Sequence, residues 1–60
     1  MNQYTENGFK DRKEYLDHLK EQAGPNESWK VDVLADMYGP NEDFDALITT
    51  LQDDGVDVSI

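Results

Sequence analysis

The apolar residues of the chain fall into three runs with helical spacing, separated by glycine and proline. In the first run Tyr15, Leu16, Leu19 and Ala23 stand at i, i+1, i+4 and i+8, which is one stripe of a helix. Asp11, followed three residues later by Glu14, is a variant of the capping box and sets the start of this helix. Gly24 and Pro25 end it, because glycine tolerates the left-handed cap and proline fits a helical first turn but not a helix interior. The second run, Trp29 to Tyr38, has the widest apolar arc. Trp29, Val33 and Met37 form one edge, Leu34 the middle, and Tyr38, Val31 and Ala35 the other edge, with Lys30 inside the arc and Asp32 and Asp36 opposite it. So wide an arc calls for cover on two sides, so this helix is expected at the centre of the core. Trp29→Ala or Leu34→Ala is then expected to cost about 2 to 5 kcal/mol. Gly39 and Pro40 repeat the earlier punctuation, and the recurrence of Gly-Pro-Asn marks two similar turns. Asn41 should cap a third helix with Glu42, Asp43 and Asp45 in or beside its first turn, where the helix dipole favours carboxylates. Phe44, Leu47, Ile48 and Leu51 supply its stripe, and Gly55 its C-terminal cap.

The predicted fold is therefore all-α: a small three-helix bundle, with helices over about 11–23, 26–38 and 41–54, forming a single domain over 1–60. Residues 1–10 are polar apart from Met1, Tyr4 and Phe9 and include an Asn-Gly pair, so they read as a flexible arm with Tyr4 packed back. Residues 55–60 alternate Val56, Val58 and Ile60 with Asp57 and Ser59, the period of an extended strand. A single strand cannot stand alone in water. The first placement for this tail is along the bundle with its apolar residues inserted. Pairing with the arm around Gln3 to Thr5, or addition to a partner's sheet edge, are the alternatives.

Composition changes the picture in two ways. At 60 residues with no cysteine, the chain has neither a disulfide framework nor a thiolate metal site. A domain of that size buries only roughly 60% of its unfolded surface, so the core must be economical. The absence of any long apolar run, together with the lack of cysteine, reads as a soluble, cytoplasmic protein with no membrane association. The net charge of −9 is unevenly distributed. All five bases, Lys10, Arg12, Lys13, Lys20 and Lys30, precede residue 31, and the remaining half carries eight acids and no base. Such a field repels nucleic acid and anionic membrane and favours basic protein surfaces.

Candidate chemistry is sparse. His18, the one histidine, lies off the main stripe as a solvated side chain flanked by Glu14 and Glu21. Asn41, Asp43 and Asp45 copy the first half of a calcium loop, but Ala46 and Gln52 stand where the loop requires glycine and glutamate. The segment therefore reads as a helix cap. No residue set supports a reaction class, so no catalytic, cofactor or metal residue is assigned and the protein is read as non-enzymatic. The candidate interaction surface is acidic: Asp32, Asp36, Glu42, Asp43, Asp45, Asp53, Asp54 and Asp57.

The segment Gly8-Phe9-Lys10-Asp11-Arg12-Lys13-Glu14-Tyr15-Leu16 and the segment from Leu34 through Met37-Tyr38-Gly39-Pro40-Asn41 to Leu47 resemble small uncharacterised acidic proteins of phage-related and other bacterial mobile elements. The resemblance implies a genomic setting and no particular activity, and Asp11 stands where serine is the more usual cap in that group. The expected function is a small acidic interaction module that binds a basic protein, one form of which mimics the phosphate spacing of nucleic acid to inhibit or regulate its target. The alternative is a structural subunit or homodimer assembled through Trp29, Tyr38 and the Val56–Ile60 tail. The expected state is monomer or homodimer.

Overall fold

The computed structural model describes residues 2–59. It is all-helical, with α1 over Gln3–Glu6, α2 over Arg12–Ala23, α3 over Ser28–Tyr38, a 3₁₀ turn over Pro40–Glu42, and α4 over Ala46–Asp53. There is no strand among the described residues. The helix α3 packs on both α2 and α4, as a central element should.

The start of α2 is where the sequence places it. Asp11 accepts the Glu14 backbone N–H at 3.0 Å, while Glu14 reaches back to the Lys10 N–H at 3.1 Å. The two Gly-Pro turns are also alike: Gly24 and Gly39 share a backbone of φ 87°, ψ 170° and φ 83°, ψ 172°, a region open essentially to glycine alone. Each glycine donates its N–H to the carbonyl four residues back, ending the helix before proline. The second and third helices start later than expected, at Ser28 and Ala46, because both Gly-Pro-Asn-Glu segments first form a turn.

Residues 1–10 are not a flexible arm over their described part. Asn2 caps α1, its Oδ1 accepting the N–H groups of Tyr4 and Thr5, and Thr5 Oγ1 accepts the Asn2 N–H in return. The helix closes with paired bonds from Gly8 N–H to the Thr5 carbonyl and from Phe9 N–H to the Tyr4 carbonyl. Gln3 then donates to the Pro40 carbonyl at 2.8 Å, tying α1 to the 3₁₀ turn.

The core consists of Tyr4, Tyr15, Leu19, Val31, Ala35, Leu47, Leu51, Val56 and Val58. The tail thus lies along the bundle with two valines inserted. Gln22 pairs its side-chain amide with the backbone of Ser59, at 2.7 and 3.1 Å, and Gln52 donates to the Val58 carbonyl at 3.0 Å. With Val56 and Val58 consumed by the chain's own core, the expected assembly surface at the tail is removed. Ile60 lies outside the described residues.

The largest departure concerns α3. Trp29, Val33 and Met37 are 58%, 52% and 65% exposed, so the tryptophan edge does not organise the core. The opposite edge, Val31 and Ala35, faces inward with Leu34 half-buried beside it. Small inward side chains let α2 and α4 approach closely from two sides.

Candidate protein-interaction face

Two polar arrangements and one apolar face stand out. The first polar arrangement is internal. The chain after Pro40 tightens into a 3₁₀ turn, breaks at Asp45 and restarts as α4, and this turn carries Asp43 inward to 0% exposure. Its carboxylate accepts the Tyr4 hydroxyl at 2.5 Å and the Arg12 guanidinium at 2.7 and 3.1 Å, and Arg12 also donates to the Ala35 carbonyl at 2.8 Å. The Tyr15 hydroxyl donates to the Asp43 carbonyl at 2.6 Å, and the Tyr15 ring stacks on Phe44 at 4.3 Å. Burial raises the Tyr15 phenol above its ordinary value, with the nearby Asp43 charge acting in the same direction. Burial likewise raises the Tyr4 phenol, followed by its bond to Asp43, and the same carboxylate raises the Arg12 guanidinium through its hydrogen bond. This network joins α1, α2, α3 and the 3₁₀ turn. Asp43 is therefore withdrawn from the acidic interaction surface: it is a buried, neutralised structural group.

The second arrangement is a set of surface bridges. Lys20 pairs with Asp32 across α2 and α3 at 3.1 Å, and Lys30 pairs with Asp54 across α3 and α4 at 2.5 Å and with Glu27 at 2.8 Å. Lys13 pairs with Asp17 at 2.9 Å, as its i, i+4 spacing predicts. Hydrogen bonds to Asp54, then Glu27, raise the Lys30 ammonium, and the bond to Lys13 lowers the Asp17 carboxyl.

Of the eight predicted surface acids, Asp32, Asp36, Asp45, Asp53, Asp54 and Asp57 are exposed and Glu42 is half-buried. Asp36, Glu42, Asp45, Asp53 and Asp57 make no ion pair with any described side chain. Four of the five bases are engaged internally, so the negative field of the second half is left largely uncompensated. His18 is half-buried against the Phe9 ring, with ring centroids 5.2 Å apart, rather than fully solvated. No group of three or more His, Asp or Glu side chains able to hold a metal ion occurs among the described residues, and no described helix is long and apolar enough to cross a membrane.

The apolar face is the outward edge of α3. Trp29, Val33 and Met37 follow one another at i, i+4 and i+8, a row about 12 Å long at 1.5 Å per residue. Beside it a groove of about 410 Å³ runs between α3 and α4, lined by Trp29, Lys30, Val33, Leu34, Thr50, Asp53 and Asp54. The Trp29 indole N–H is satisfied by the Asn26 carbonyl at 3.1 Å, which fixes the ring at the groove's end. Tyr38, 37% exposed, is tied across the same two helices by a 3.1 Å bond between its hydroxyl and that of Thr50. Sequence reasoning placed these residues in the interior first and gave Trp29 and Tyr38 to an assembly surface only in its alternative reading. The angular distance of the row from Val31 and Ala35 was the available signal that both edges cannot face one core. The chain matches no protein-family model, no curated protein and no solved structure.

Proposed function

We propose that this protein is a non-enzymatic interaction module that docks through the outward row of α3 and uses its uncompensated acids to select a partner with a basic surface. The observation that carries this reading is the exposure of Trp29, Val33 and Met37 in one row. In a domain short of core, three large apolar side chains sharing a face and a groove are a binding surface rather than scattered residues. The negative field adds long-range attraction and sets the charge of the partner. A form of this module that imitates phosphate spacing would inhibit or regulate a nucleic-acid-binding protein, which fits the mobile-element setting implied by the sequence resemblance.

The same row supports a second reading, a homodimer or accessory subunit joined through Trp29 and Tyr38 without the tail. A photo-crosslinking amino acid at position 37 separates the possibilities, with the same group at the exposed Glu21 on α2 as control. A heterologous adduct formed from position 37 and not from position 21, in cells or extract of the native host, is the expected result. An adduct only between copies of the chain would favour the homodimer. No adduct at 37, or equal labelling from both positions, would overturn docking through α3.

A further inference from the structure

We infer that the occupant of the α3–α4 groove is a cationic amphipathic helix contributed by another protein. The inference rests on the interaction-module reading and adds the chemistry of the partner. On the helical wheel the row of Trp29, Val33 and Met37 has Asp32 and Asp36 along one side. On the other side the groove floor passes through Leu34 to a wall that carries Asp53 and Asp54. An apolar strip about two helical turns long, with carboxylates on both banks, matches a helix whose apolar face carries i, i+4 and i+7 anchors and whose flanks carry lysine or arginine.

The chain's own Lys30 already shows that this groove accepts a cation. Its ammonium sits 2.5 Å from Asp54, 2.8 Å from Glu27 and 5.9 Å from the Trp29 ring centroid. Asp53, in the same wall, and Asp36, beside the row, have no such partner among the described residues. These two carboxylates are the places for the partner's charges. A second copy of the chain fits poorly, because a two-fold contact through this face would set Asp32, Asp36 and Asp53 of one copy against the same acids of the other. Like charges across an interface cost affinity.

The test uses the full chain and a synthetic helical peptide of about 18 residues, five turns, built from leucine on one face and lysine on the others. A scrambled peptide of equal composition is the control. The single tryptophan of the protein reports binding directly, since the peptide has none. We expect a saturable blue shift of Trp29 emission, an affinity at least about tenfold weaker for the scrambled peptide, and about tenfold weakening between low and high salt. Val33→Glu with Met37→Glu is the decisive variant. It adds two negative charges, so simple charge attraction predicts tighter binding, whereas seating in the groove predicts loss of the blue shift with an unchanged circular dichroism melt. Asp36→Asn with Asp53→Asn should weaken binding severalfold in low salt and little in high salt.

Equal affinity for the scrambled peptide, tighter binding by the double glutamate variant, or self-association of the parent in sedimentation in place of peptide binding would each overturn the inference. If position 37 still crosslinks to a host protein that the peptide fails to displace, the cationic-helix inference fails and the module reading stands. If position 37 yields no adduct, the module reading itself fails.

Discussion

Replacing Arg12 by methionine tests the internal network most directly, because methionine keeps much of the apolar stem and removes the guanidinium. The substitution deletes two hydrogen bonds to Asp43 and one to the Ala35 carbonyl. What remains is a carboxylate at 0% exposure whose one side-chain donor is the Tyr4 hydroxyl. Breaking a buried pair from one side costs about 3 to 5 kcal/mol, chiefly through the charge left behind. Arg12 itself is 32% exposed, and solvent screening places the expected loss at the lower end, about 3 kcal/mol. A domain of this length has about 3 to 9 kcal/mol in total, so the variant loses a third or more of its stability. Asp43→Asn should cost less, about 1 to 2 kcal/mol, because the amide keeps an acceptor and the guanidinium left behind can turn toward water. The assay is urea denaturation followed by far-UV circular dichroism, since the exposed Trp29 reports the core poorly. At about 1 kcal/mol per molar urea for so small a domain, the Arg12→Met midpoint should fall by about 3 M. A loss below about 1 kcal/mol, or a greater loss in Asp43→Asn than in Arg12→Met, would refute the assignment of the network as the clamp of the fold.

The remaining predictions concern other parts of the fold. Trp29→Ala should lower stability by no more than about 1 kcal/mol, well short of a core truncation, and a thermal melt of the variant measures it. Gly39→Ala should cost about 1 to 3 kcal/mol from backbone conformation alone, because no atom beyond the adjoining residues lies within 4 Å of the added methyl group while φ of +83° is a conformation alanine adopts only under strain. Urea midpoints of the alanine variant and the parent decide it. Stability should also fall at alkaline pH. Tyr4 and Tyr15 have phenols raised above the unfolded value, so their contribution is complete below about pH 10 and is lost as pH rises through their folded values. Melts between neutral and strongly alkaline pH, with phenolate absorbance recorded alongside, should show ionisation of these two tyrosines coinciding with unfolding. Replacing both by phenylalanine should flatten the alkaline loss.

Local signals in the sequence were legible, and those that depend on contacts between distant residues were not. Asp11, Gly24 and Gly39 act through neighbours within four residues, so their roles follow from spacing. The insertion of Val56 and Val58 likewise follows from a period of two. By contrast Asp43 sits in an acidic, cap-like segment, and only contact with Arg12, 31 positions away, explains its burial. The signal for α1 was present in Asn2, Thr5 and the Asn7-Gly8 stop. A helix of four residues has too few positions to show a period, which is why a polar arm was expected there. The acidic surface was legible as composition, but its division into engaged and unpaired carboxylates depends on which lysines reach across helices.

The orientation of α3 has a physical cause that also accounts for its outward face. At about 100° per residue, the centre of the Asp32–Asp36 edge lies about 80° from the centre of the Trp29, Val33 and Met37 row and about 130° from the centre of the Val31, Leu34, Ala35 and Tyr38 edge. Turning the tryptophan row inward would draw both carboxylates toward the packed boundary, where desolvation costs several kcal/mol per ion. Full burial of a large apolar side chain contributes about 1.5 to 3 kcal/mol. The row is already close to half covered where it stands, so turning it inward would recover only about 2 to 5 kcal/mol in all, less than the two carboxylates would lose. Turning it would also expose Val31 and Ala35, now buried. The acids therefore steer the helix, and the small edge goes in. With α2 and α4 packed on α3 and Val56 and Val58 of the tail in the same core, no element among the described residues covers Trp29. The unburied row and the acids beside it consequently arise from one arrangement, and a partner that covers the row meets carboxylates as it does so.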